Sequence, residues 1–170
     1  MTFQEQGYIF SQWLDKHKAL IFKIVRAYGN TPMDQDDLFQ EITIQVWRSI
    51  PTFRHESAVT TWIYRIALNT AIRWVTKEKQ YRVANDVLEN IPDVLSRHTM
   101  PDDEQLAWLY DAIHALDEID RSVALLLLDG FSYKEMAVIL GITVSNVGVK
   151  INRIKKQLII QSKKIVEHGI

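Results

Sequence analysis

The sequence predicts an all-α protein of two small helical domains joined by a flexible acidic linker, spanning 1–80, 81–103 and 104–170. Three observations carry this. Apolar residues recur at spacings of three and four along each long segment, and no stretch shows the strict alternation of a strand. Between Tyr81 and Asp103 the periodicity fades. Pro92 and Pro101 interrupt that stretch, and Asp86, Glu89, Asp93, Asp102 and Asp103 are opposed only by Arg82 and Arg97. Its length exceeds an ordinary loop within a domain, and acidic segments of this kind are usually solvated tethers, the other reading being a mimic of nucleic acid in a basic channel. Near the C-terminus two short helical patterns meet at Gly141 in the manner of a helix-turn-helix.

The first helix is expected over 7–28, where Phe10, Trp13, Leu14, His17, Ile21, Ile24, Val25 and Tyr28 share one face. His17 on that face reads as a packing histidine. Gly29-Asn30 ends the helix and Pro32 follows. The second helix, over 34–50, carries Asp34, Asp36 and Asp37 in its first turn, where carboxylates complement the helix dipole. Phe39, Ile42, Val46 and Ile50 form its inward stripe, and Asp37, Glu41, Ile44 and Arg48 lie on another face.

Pro51 to Ser57 is a loop bearing Phe53, Arg54 and His55; His55-Glu56 does not extend to a zinc-binding H-E-x-x-H. The third helix, over 58–80, turns Ile63, Ile66, Ala67, Thr70 and Trp74 inward. Trp62, Arg65, Asn69 and Arg73 line a different face. An aromatic interleaved with cations and an amide suits single-stranded nucleic acid, because bases stack on the ring while arginines meet phosphate. The other reading of the same face is a core tryptophan with solvated arginines.

In the second domain, 101–116 opens with a proline and acids and has Leu106, Leu109, Tyr110, Ile113 and Leu116 as its stripe. The very apolar 121–128 follows and stops at Asp129-Gly130. Ser132 and Glu135 have capping-box spacing. Met136, Ala137 and Leu140 are the stripe behind them, and Gly141 provides the left-handed stop. Thr143 caps the last helix, whose Val144, Val147, Ile151, Ile154 and Leu158 share a face. Ser145, Asn146, Lys150, Asn152, Arg153 and Lys156 are assigned to the opposite face, with Val149 beside them. Short polar groups followed by cations suit a helix in the major groove. From Ser132 onward seven cations face only Glu135 and Glu167, although the whole chain has a formal net charge of -1.

Composition removes several alternatives. The chain has no cysteine, so disulfides, thiolate metal sites and cysteine nucleophiles are excluded. The start MTFQEQGYIFSQWLDKHK lacks an apolar core behind a basic end, and no run approaches the ~18 apolar residues of a membrane span. A soluble, cytoplasmic protein is expected. No glycine-rich phosphate loop, metal cluster or nucleophile constellation stands out, so neither catalysis nor a cofactor nor a small-molecule substrate is expected.

Taken together and in this order, the motifs resemble the sigma-70 family of bacterial sigma factors, in its small extracytoplasmic-function (ECF) class. The resemblance rests on Asp37-Leu38-Phe39-Gln40-Glu41, on Phe53-Arg54, on Thr61 to Ala67 with Asn69, and on Val147 to Arg153. It implies that 1–80 is region 2 and 104–170 is region 4. Asp36, Asp37, Gln40, Glu41 and Ile44 would dock on core RNA polymerase. Phe53, Arg54, His55, Trp62, Arg65, Asn69 and Arg73 would engage the −10 element, where a base leaves the stack. Ser145, Asn146, Val149, Lys150, Asn152 and Arg153 would read the −35 element. Promoter DNA and an anti-sigma factor are the further partners it implies. Gly148 departs from the family pattern, in which many members carry a cation there. The competing reading is a dimeric helix-turn-helix regulator that binds an operator without polymerase.

Overall fold

The structure, a computed structural model, describes residues 1–85 and 104–167. The acidic stretch 86–103, which holds most of the expected linker, lies outside the described residues. The chain divides into two compact units, Met1–Pro101 and Asp102–Ile170. Among the described residues all regular structure is helical.

The first unit packs α1 (Phe3–Tyr28), α2 (Pro32–Ser49) and α3 (Val59–Asn85) mutually against one another. Its core is Ile21, Ile24, Tyr28, Leu38, Ile42, Ile63, Tyr64 and Leu68, all essentially inaccessible. Fully burying one such side chain contributes about 1.5–3 kcal/mol. The helix starts lie upstream of the apolar periodicity because side-chain caps set them. Thr2 and Glu5 form a capping box at α1, and Thr31 and Asp34 form one at α2, with Pro32 in its first turn. Gly29 is required by space rather than by backbone angle: a Cβ there would stand 2.7 Å from Gln35 Cγ and 3.1 Å from Gln35 Cα. This close approach makes the α1–α2 turn tight. A short 3₁₀ turn, Ile50–Thr52, leads into the loop.

Some inward assignments shift. On α2 Leu38 takes a core position, while Phe39 is half-buried and stacks on Phe22 at 4.8 Å. On α3 Tyr64, Leu68 and Ala71 are buried, whereas Ile66 and Trp74 are half-buried at the margin. The reason is that α3 packs on two helices, so its buried arc is wider than one stripe. His17 is buried with both ring nitrogens in hydrogen-bond contact, with Trp13 O at 2.8 Å and Thr60 Oγ1 at 3.0 Å. It is the packing histidine the sequence indicated. Helix α3 also continues to Asn85, five residues into the expected linker.

The second unit contains α4 (Glu104–His114), α5 (Glu118–Leu128), α6 (Tyr133–Leu140) and α7 (Val144–Glu167). Helix α5 is central. It packs on α4, α6 and α7, and Asp120 through Leu126 are all buried. Asp117 caps it by accepting from Asp120 N at 2.8 Å. Buried Arg121 ties the α4–α5 turn together by donating to His114 O at 2.7 Å and Leu116 O at 3.0 Å. The helix-turn-helix forms as its local signals require. Ser132 and Glu135 close the capping box, Gly141 sits at φ +68°, and Thr143 Oγ1 accepts from Asn146 N at 3.1 Å. Ile139 is buried and Leu140 only half-buried, so the inward edge of α6 is Met136, Ala137 and Ile139.

Candidate nucleic-acid interface

On α3 the residues buried toward α1 and α2 occupy one side, and Trp62, Arg65, Asn69 and Arg73 occupy the other. With ~100° per residue these four fall within about 80° of arc, opposite the core. Together with Ile66 and with Gln45 and Ser49 of α2 they line an open groove of about 220 Å³. Arg65, Asn69 and Arg73 are exposed, and Arg73 Nε donates to Asn69 O at 3.2 Å, which steadies its guanidinium along the groove. Trp62 is half-buried, with one side in the groove and the other in an aromatic cluster.

That cluster joins three segments. Trp62 lies 4.8 Å from Phe53 and 5.7 Å from Trp13, and Trp13 lies 5.2 Å from Phe53. The rings meet edge-on or tilted, as their quadrupoles favour. His55 continues the series at 4.5 Å from Phe53. Its backbone has φ +58°, uncommon for a residue other than glycine, and it is exposed beside exposed Arg54. The loop is thus held by a hydrophobic brace and presents a cation and an imidazole at its tip. Trp13 was absent from the expected site residues. Its helical spacing assigns it to a packing face, and nothing local ties it to a loop forty residues away.

On α2, Asp36, Asp37, Gln40 and Ile44 are exposed on the outward side, and Glu41 is half-buried at its edge. Glu41 Oε1 accepts from Gln45 Nε2 at 2.8 Å. Gln45 also lines the groove, so the acidic face and the groove adjoin at this pair.

On α7 the expected residues separate into two groups. Ser145, Asn146, Val149 and Asn152 are exposed. Lys150 is half-buried and Arg153 exposed, and neither stands as a solvated outward cation. They lie on the flank toward α5, and this corrects the helical-wheel assignment. Lys150 Nζ donates to Asp120 Oδ1 at 2.8 Å, and Arg153 Nε donates to Asp120 Oδ2 at 2.9 Å. Arg153 Nη2 also bonds Asp120 and reaches Asp117 Oδ2 at 3.3 Å. The hydrogen bond to Asp120, reinforced by that carboxylate's charge, raises the already high Arg153 pKa. The physical reason is the Asp120 carboxylate, whose side chain is only 3% exposed and must be matched by cations. Gly148 has room: a Cβ would lie 3.8 Å from Tyr133 Cε2, an ordinary contact.

The family comparisons concern the two helical units as wholes. Residues 3–81 match the description Sigma-70 region 2, and 106–158 match Sigma-70, region 4. The ECF RNA polymerase sigma-E factor of Haemophilus influenzae is 34% identical over 137 residues, covering 74% of this chain and 72% of that protein. The chain belongs to the sigma-70 family. Its relatives place this sigma factor in the ECF class. Among solved structures, the sigma factor RpoE, in complex with the anti-sigma factor NepR from Bartonella quintana, has a TM-score of 0.76 at 20% identity. That match covers 91% of this chain and 96% of that one. CnrH, in complex with the cytosolic domain of CnrY, has a TM-score of 0.65 at 21% identity over 96% and 91%. These two likenesses concern the fold. Among the described residues no single helix is long and apolar enough to cross a membrane.

Proposed function

We propose that this ECF sigma factor joins core RNA polymerase in the cytoplasm, selects promoters by their −10 and −35 elements, and assists strand opening. Residues 1–80 and 104–170 act as its two working domains, tethered by 81–103. The outward face of α2, with Asp36, Asp37, Gln40, Glu41 and Ile44, docks on the polymerase. The α3 groove and the Phe53–His55 loop receive the opened −10 strand. The exposed side of α7, with Ser145, Val149 and Asn152 outward and Asn146 at its edge, reads the −35 duplex. The chain contributes no catalysis; the polymerase performs the chemistry.

The observation that carries this reading is the groove itself. Trp62, Arg65, Asn69 and Arg73 lie side by side with Trp13 and Phe53 bracing one end. A reader of duplex alone needs no groove-lining aromatic beside arginines. An extruded base needs a stacking wall and a nearby cation, which together offset the few kcal/mol of unstacking. The acidic face of α2 adjoins the groove, with Gln45 touching both, and this supports a reading in which polymerase docking lies next to the point of melting. The dimeric operator-binding regulator has no such use for the groove and is not favoured. The two solved structures named above are each bound to a second protein, which supports an anti-sigma partner here too.

The test is co-purification with core polymerase followed by run-off transcription on a promoter library. A stoichiometric complex that starts at a distinct promoter set is the expected result. Failure to bind polymerase, with tight binding of the chain alone to a duplex palindrome, would return the case to the regulator.

A further inference from the structure

We infer that Asp120, backed by Asp117, decides what α7 shows to DNA by withholding Lys150 and Arg153 from the phosphates; this rests on the reading of α7 as the −35 helix. Asp120 stands in the first turn of α5, and its side chain is 3% exposed. It holds both cations at once, through separate carboxylate oxygens. Lys150 is itself largely covered, with its side chain 16% exposed. To meet a phosphate, the Lys150 ammonium would have to leave a buried carboxylate with one cation fewer. The desolvated charge left behind makes that exchange unfavourable. Arg153 is half-exposed, but its Nε and Nη2 are committed to Asp120 and Asp117. Its positive charge is locally cancelled.

Helical geometry gives the rest. Positions 146, 150 and 153 lie on the flank toward α5, while 145, 149, 152 and 156 lie directly opposite the Val147–Ile151–Ile154 core. The outward face therefore carries a hydroxyl, an exposed valine, an amide and one lysine, Lys156. It has base-edge and methyl-contact chemistry with little counterion release. Asp120 is thus a positioning residue with two effects. It fixes α7 on α5, and it lowers sequence-independent attraction to the phosphate backbone. Discrimination between duplexes then falls to Ser145, Val149 and Asn152, and Gly148, which has no cation to offer, fits the same economy of charge.

The experiment uses the full chain assembled with core polymerase. Promoter affinity is measured from 50 to 200 mM salt on duplexes with the intact and a scrambled −35 element, with circular dichroism as the fold control. Each phosphate neutralised adds ~0.9 to the slope of log affinity against log salt. Lys150→Met keeps the aliphatic stem and is expected to leave the slope unchanged. Asp120→Asn is expected to steepen it by about one to two phosphates' worth and to tighten binding to the scrambled duplex, which narrows discrimination. A merely structural Asp120 would lower stability without steepening the slope. If Asp120→Asn fails to fold, Lys150→Met decides alone, and a slope shallower by about one phosphate overturns the inference. Asn152→Ala separates the two claims. If it leaves −35 dependence intact, the reading of α7 as the −35 helix fails, whatever the two slopes show.

Discussion

Replacing Trp13 by leucine should disturb the Phe53–His55 loop, and with it the proposed −10 contact, without removing a group that meets DNA. Trp13 sits on α1, half-buried, and meets Phe53 at 5.2 Å and 88° and Trp62 at 5.7 Å and 80°. An edge-on pair of this kind contributes about 0.5–1.5 kcal/mol beyond area burial. Leucine keeps part of the apolar contact and loses both pairs, so the first unit should lose about 1–3 kcal/mol. Four of the five tryptophans, Trp13, Trp47, Trp62 and Trp74, belong to that unit, so fluorescence during urea unfolding reports chiefly on it. At a slope near ~1 kcal/mol per molar urea the midpoint should fall by about 1 M or more. In the polymerase complex, permanganate reactivity at the −10 element should decrease while polymerase affinity stays unchanged, because the outward face of α2 is intact. A loss below about 0.5 kcal/mol with normal melting would refute the bracing argument.

Four further outcomes follow from the same geometry. Asp37→Arg combined with Glu41→Arg should abolish capture by core polymerase while the helical circular-dichroism signal persists, since Asp37 is exposed and Glu41 forfeits only its contact with Gln45; retained capture would contradict the docking face. Ser132→Ala should cost the second unit about 0.5–2 kcal/mol by removing a helix cap, read as a lower unfolding midpoint. The backbone N–H of Ser132 holds the Glu135 carboxyl below its ordinary range, as that of Thr2 does for Glu5. A lowered folded value stabilises above the unfolded carboxyl near ~4.3 and is lost as pH falls through the folded value, so Glu135→Gln should lower stability in the neutral range, converge with the parent protein in acid, and so flatten the acid limb below about pH 4. Gly148→Ala should stabilise α7 by about 0.8–1.0 kcal/mol, because the helix interior gains a better former and the new methyl meets only Tyr133 at ordinary distance; thermal unfolding checks it.

The all-α class, the helix-turn-helix with its capping box and left-handed glycine, and the α3 face of Trp62, Arg65, Asn69 and Arg73 were legible in the sequence alone. Each is a short-range pattern. A cap is written within four residues, and a face repeats every three or four, so neither needs knowledge of what lies across the core. Two further caps were written just as locally, Thr2 with Glu5 and Thr31 with Asp34, and account for the earlier starts of α1 and α2. What only the tertiary structure decided is which side chains meet from distant parts of the chain. Trp13 joins Phe53 and Trp62 because α1 crosses the loop and α3, and no periodicity encodes that meeting. Lys150 and Arg153 looked like outward cations on a helical wheel, yet Asp120, thirty residues before Lys150, draws both to the flank of α7. A buried carboxylate reorders its surroundings through space, because the cost of leaving it unmatched exceeds what a solvated lysine gains from water.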